Sequence, residues 1–172
     1  GQTVSVRDKR RTNMRLKNIL IVVEDIERSK RFYRDLFGLR VLADFDGNAV
    51  LTEGLALQDR RVWEHLVQKE IICGDGDMEL YFEENNLDDF LKKLESYPES
   101  VRYFQKLLEH TWGQRVVRIY DPDGHVIEIG EAMESVTRRL YQAGMSLEEV
   151  SKKTQLPLDQ VRGICQAHCR QE

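Results

Sequence analysis

The 172-residue chain carries 26 basic and 30 acidic side chains, a formal net charge of -4, with 41% hydrophobic and 33% charged residues. That balance excludes a chain built of membrane spans, and the acidic pI of about 5.7 argues against general electrostatic affinity for nucleic acid or anionic membrane. Three unevenly placed cysteines and the lack of a charged-then-apolar leader argue against a secreted disulfide framework, so a reducing cytoplasm is expected.

Residues 1–14 hold Arg7, Lys9, Arg10 and Arg11 with little apolar content, so they are expected to be a flexible leader, with Met14 the expected native start. Residues 16–23 are rich in β-branched side chains and end at Glu24-Asp25, a strand followed by a helix cap. Ile26, Phe32, Tyr33, Leu36 and Phe37 then fall near a 3.6-residue stripe that Gly38 stops. Three short strands follow at 39–45, 48–52 and 55–58, with Asp46-Gly47-Asn48 as a hairpin turn. Residues 59–77 read as a connector with a short helix at 62–67. The same order then returns: strand 78–83, helix 87–94, and strands 101–104, 114–120 and 125–130. Two copies of a β-α-β-β-β unit, about 15–59 and 78–133, imply a pseudo-symmetric α+β domain over 15–133.

Residues 134–172 form a separate helical piece. A first helix ends at Gly144, Ser146-Leu147-Glu148-Glu149 is a capping box, and Pro157 opens a third helix. The run resembles a helix-turn-helix, but Arg138, Arg139, Lys152, Lys153, Arg162 and Arg170 are nearly balanced by Glu134, Glu148, Glu149, Asp159 and Glu172. Packing or dimerisation is therefore expected of it rather than nucleic-acid binding.

The turn Asp121-Pro122-Asp123-Gly124 joins two strands and leads into an apolar run holding one carboxylate, Glu128. Alternation places Val126 and Glu128 on one face and His125, Ile127 and Ile129 on the other.

Three pieces carry a family resemblance: Val22-Val23-Glu24-Asp25-Ile26-Glu27-Arg28-Ser29-Lys30-Arg31-Phe32-Tyr33 with Leu36-Phe37-Gly38-Leu39, then Leu80-Tyr81-Phe82-Glu83, then Asp121-Pro122-Asp123-Gly124-His125-Val126-Ile127-Glu128. Over residues 16–132 the chain resembles the vicinal oxygen chelate superfamily of glyoxalase I, extradiol dioxygenases and bleomycin-resistance proteins. The resemblance implies paired modules whose sheets form one open, cupped barrel, here with a C-terminal helical extension, and often a homodimer. It puts Asn18, Gln58, Glu79 and Glu128 at the positions where metal-dependent members carry ligands. Without an imidazole this set suits Mg²⁺ or Mn²⁺ better than Ni²⁺ or Zn²⁺. The alternative is a metal-free cavity in which Glu79 and Glu128 pair with Arg118.

Three functions follow from the resemblance: a protein of bleomycin-resistance type that binds a small molecule in the cup, a metal-dependent lyase, isomerase or dioxygenase with Glu128 or Glu79 moving a proton, or a ligand-responsive regulator using the C-terminal helices. Tyr81, His110, Trp112, Arg115 and Arg118 are the candidate ligand contacts, Trp112 for stacking and Arg115 for a carboxylate. The residue-level alternatives are that Trp112 caps the core and that His65, His110 and His125 are ordinary surface or structural residues. Cys165, His168 and Cys169 share a helix face but lack the further ligand pair of a finger-type metal site.

Overall fold

The computed structural model describes residues 14–74 and 76–168, the side chain of His168 excepted, so the expected leader lies outside the described residues apart from Met14. The first module comprises strand β1 (Ile19–Val23), helix α1 (Ile26–Phe37), strands β2 (Val41–Asp44) and β3 (Asn48–Leu51), a 3₁₀ turn (Thr52–Gly54) and β4 (Leu55–Asp59). Helix α2 (Arg60–Val67) opens the connector. The second module comprises β5 (Glu79–Glu84), α3 (Leu87–Glu95), β6 (Tyr103–Glu109), β7 (Arg115–Tyr120) and β8 (Val126–Glu131). Helices α4 (Met133–Gln142), α5 (Leu147–Thr154) and α6 (Leu158–His168) complete the described chain.

Local chemistry sets each helix. The Asp25 carboxylate accepts the Arg28 N–H at 3.0 Å to start α1, and Gly38, at φ 68°, ends it in the left-handed conformation that a residue without Cβ adopts most cheaply. Asn86 caps α3 in the same way through Asp89 N–H at 3.1 Å.

Each module forms a four-stranded sheet, in the orders β1-β4-β3-β2 and β5-β8-β7-β6, with the first pair parallel and the others antiparallel. The repeat in the sequence is thus a repeat in topology, and the sheets stay open as a cup. One element departs from expectation, since the strand expected at 101–104 runs instead from Tyr103 to Glu109. Gln105, Lys106 and Glu109 look like loop in sequence, yet on an outermost strand both faces meet solvent and backbone pairing with β7 decides the matter.

Helices α1 and α3 cover the convex side of both sheets, where Val23, Phe32, Leu36, Leu57, Phe90, Ile119 and Ile127 belong to one continuous core. Phe37 of the first module stacks against Phe82 of the second with ring centroids 4.4 Å apart. Helices α4, α5 and α6 have their own core of Val136, Leu140, Val150, Val161 and Cys165. Cys165 is therefore buried between helices, while Cys169 and the His168 side chain, its partners in the sequence-level metal reading, lie outside the described residues.

The modules are joined at the turn before β8. Asp121 Oδ2 accepts the Tyr33 hydroxyl of α1 at 2.7 Å and pairs with His125 Nδ1 at 2.7 Å, while Oδ1 accepts the backbone N–H groups of Asp123 and His125. Asp123 in turn accepts the Glu24 N–H at 3.0 Å. His125 thus has a structural partner on the core face. Burial alone would lower its pKa, but the hydrogen bond and charge of Asp121 outweigh that and raise it. Replacing Asp121 by Ala strands a buried hydroxyl, an imidazole and two amides, so it is expected to cost about 3 kcal/mol or more, against about 1 kcal/mol for Tyr33→Phe. Urea unfolding of the two variants checks that order.

Candidate functional site

The concave face of the second module carries a polar cluster fixed by strand register. Arg118 on β7 lies opposite Glu128 on β8, and Glu128 lies opposite Tyr81 on β5. Alternation along β5 puts Glu79 and Glu83 on the face of Tyr81, with Leu80 and Phe82 turned to the core. Arg118 occupies the centre: its Nε donates to Glu79 Oε1 at 3.1 Å, one terminal nitrogen lies 3.2 Å from Glu128 Oε1, and the other donates to Gln105 at 2.6 Å.

The two carboxyls divide their charge by burial. The Glu128 side chain is 12% exposed and that of Glu79 37%. Desolvation, reinforced by the neighbouring Glu79 carboxylate, pushes the Glu128 pKa up to about 7 against the pull of Arg118. Glu79, hydrogen-bonded to Glu128 and Arg118, is held below the ordinary range. Near neutrality the pair shares one proton, carried by Glu128 and donated towards Glu79. Such a pair can give or take a proton at neutral pH without a histidine.

Tyr81 is half exposed and leans across Gly130 of β8, where an added Cβ would stand 2.7 Å from the phenol oxygen. Gln114 holds it there, donating from Nε2 to the Tyr81 hydroxyl at 3.1 Å and to the Glu131 carbonyl at 3.0 Å. The Trp112 indole donates to Gln114 Oε1 at 3.0 Å, and the His110 ring stacks on the indole at 4.1 Å. His110 and Trp112 are thereby linked to the rim through Gln114.

Arg115 is not brought to this cluster. Three residues from Arg118, it points to the convex face, where it bonds Glu131 at 2.9 Å and Asp88 of α3 at 2.9 Å. Its pKa is raised by these carboxylates, and its guanidinium serves as a strut between sheet and helices. Gln105, Gln114 and Gly130 belong to the site but escaped the sequence reading. Gln114 and Gly130 share the face of Arg118 and Glu128 by alternation, whereas the register shifts of β6 hide Gln105.

The four positions implied as metal ligands do not converge. The Gln58 amide, 5% exposed, is used by Gly47 and Asn48, its Nε2 donating at 2.9 Å and its Oε1 accepting at 2.9 Å. Asn18, exposed, precedes β1 beside the level of Gly54, so Gln58 stands about 13 Å further along β4, beyond the reach of a shared ion. Between Glu79 and Glu128 the guanidinium of Arg118 already supplies the positive charge. Among the described residues no group of three or more His, Cys, Asp or Glu is placed to hold a metal. The donor set therefore does not fit a resident divalent ion.

Two measurements check this electrostatics. Arg118→Ala frees both carboxylates, so Mn²⁺ or Mg²⁺ is expected to raise the melting temperature of that variant and not of the parent. Because the folded pKa of Glu128 lies above its ordinary 4.5, its contribution to stability is complete below about 4.5 and is lost as pH rises through about 7. Urea unfolding at acid and at mildly alkaline pH should show the parent losing on the order of 2 kcal/mol through this group, a loss absent from Glu128→Gln.

Comparison with known proteins bears on the fold. A family model described as the glyoxalase-like domain matches residues 16–134. A protein of unknown function from Agrobacterium tumefaciens str. C58 is 37% identical, with a TM-score of 0.59 over 72% of this chain and 98% of its own. A glyoxalase/bleomycin resistance protein/dioxygenase family enzyme from Burkholderia phytofirmans PsJN is 17% identical, with a TM-score of 0.58 over 67% of this chain and 97% of its own. The fosfomycin resistance protein of Listeria monocytogenes is 12% identical, with a TM-score of 0.56 over 70% and 95%. The last two likenesses concern the fold alone. No curated protein matches the chain.

Proposed function

Since the chain belongs to the glyoxalase-like family, we propose that it binds a small polar or aromatic molecule in the cup of its second module, in the manner of a bleomycin-resistance-type protein. The observation that carries this reading is the Glu79–Arg118–Glu128 cluster, with Arg118 and Glu128 half-buried and Glu79 at its exposed side, beneath a half-exposed tyrosine. Desolvated charges held by register are costly unless they serve packing or a ligand, and this cluster opens onto the concave face. Tyr81, His110 and Trp112 supply the aromatic wall, and the carboxyl pair favours a ligand that is neutral or carries positive charge. Metal dependence is typical of the family, but the donors here call for a ligand mode that uses Arg118 and a proton instead.

A second reading, a lyase or isomerase, is favoured by one observation: Glu128, with a pKa of about 7 beside an ionised Glu79, can accept a proton from a bound substrate and return it. We place the protein in the cytoplasm and as a homodimer. Among the described residues no helix is long and apolar enough to cross a membrane.

A thermal-shift screen of amines, aromatic alcohols and small oxo-compounds tests the reading. A ligand is expected that stabilises the parent, is lost in Arg118→Ala, and in Glu128→Gln binds without the pH dependence of the parent. Stabilisation that survives Arg118→Ala unchanged would place the ligand elsewhere. For the second reading, exchange of a substrate C–H proton with solvent should follow the pH profile of Glu128 and vanish in Glu128→Gln.

A further inference from the structure

A cavity of about 190 Å³ lies where α1 meets the segment that links α3 to β6 and the turn that follows β7. It shares no residue with the cup cluster. Its apolar lining is Phe32 and Tyr97, set edge to face with ring centroids 6.2 Å apart, together with Val101 and Pro122. Two guanidinium groups, Arg28 from α1 and Arg102 from the link, line the same space.

Both have donors to spare. Arg28 meets a carboxylate only at 3.5 Å, from a terminal nitrogen to Asp123 Oδ1, and its Nε is buried without a hydrogen-bond partner. A guanidinium has several N–H donors and no acceptor, and one left buried and unpaired is unfavourable. Arg102 lies over the Tyr120 ring, its central carbon 4.7 Å from the ring centre, and among the described residues it makes no ion pair. Stacking engages the face of the guanidinium, while its N–H groups lie in the plane and remain free. Acceptors are scarce by comparison. The Asp121 carboxylate is filled by Tyr33, His125 and two amides, and Glu99, the other carboxylate of the lining, is exposed to water.

We propose that this cavity is a second binding site, which takes a small aromatic carboxylate, its two oxygens accepting from Arg28 and Arg102 and its ring against Phe32, Tyr97 and Pro122. The planar fork of a guanidinium matches the two oxygens of a carboxylate. The apolar lining favours a ligand with a ring over a fully hydrated ion, which would lose its water there without recompense. The site is independent of the cup, whose carboxyl pair turns an anion away.

Isothermal titration of the full chain with sodium benzoate, at an ionic strength held constant with sodium chloride, tests the proposal. Saturable binding is expected, with an affinity that falls roughly tenfold or more in Arg102→Gln through loss of a charge-assisted contact. Arg102 is exposed, so that variant should keep the melting temperature of the parent. Benzyl alcohol, which keeps the ring and lacks the charge, should not displace benzoate. Amide NMR signals of Ser100 and Val101 should shift on addition of benzoate, a reading that depends on no variant. Arg118→Ala should bind benzoate as the parent does, so failure of the cup reading and failure of this one are separable. The proposal is overturned by the absence of saturable binding, by an affinity unchanged in Arg102→Gln, or by a loss in Arg118→Ala instead. Inorganic phosphate binding as tightly as benzoate would mark a bare anion site and overturn it as well.

Discussion

The structure depends on one buried carboxylate. Asp121 receives the Tyr33 hydroxyl from α1, the His125 ring from the start of β8 and two backbone N–H groups of its own turn. A buried carboxylate with fewer partners would be strongly unfavourable, and with these four its acceptor capacity is met. Because the donors come from both modules, the bond network ties the first helix to the hairpin that carries Arg118 and Glu128. The turn Asp121-Pro122-Asp123-Gly124 thus sets both the packing of the modules and the register of the strands that present the site.

The two modules share a topology but not a chemistry. In the first, the polar residues at the cup positions satisfy one another, as Gln58 does with Asn48 and Gly47. In the second, a single guanidinium lies between two carboxyls whose burial differs, and this difference sends the proton to Glu128 and the negative charge to Glu79. Arg118 has the place that a metal would otherwise need, and the same side chain that neutralises the pair also lowers its demand for one. Gly130 is required by this arrangement, since any side chain there would collide with the Tyr81 ring that Gln114 holds in place.

The C-terminal helices are attached through a second buried carboxylate. Glu131, at the end of β8, receives Arg115 and Arg139, and Arg139 also donates to the Gly113 carbonyl. Gly113, at φ 87°, lets the turn approach Leu140 and Val136 closely, where a Cβ would stand 3.1 Å from Leu140. Glu131 offers its side chain to α4 and its carbonyl to the Gln114 amide beside Tyr81, so one residue meets both the helical unit and the rim of the cup.

The sequence by itself determined the element order, the repeat and most boundaries, because caps, turns and hydrophobic period are local: Asp25, Gly38, Asn86 and the Ser146–Glu149 capping box each act within a few residues. It also brought Glu79, Glu128, Arg118 and Tyr81 onto one face, since alternation along a strand is read directly. It did not separate Arg115 from Arg118, whose spacing places them on opposite faces, one bound to Asp88 of α3 and Glu131 of β8 and the other in the cup. Only the tertiary structure decided which residue carries the proton, that Gln58 and Asn18 lie too far apart to share an ion, and that β6 extends through polar residues. Each of these depends on burial or on pairing between distant segments, and neither is a property of a residue and its neighbours in the chain.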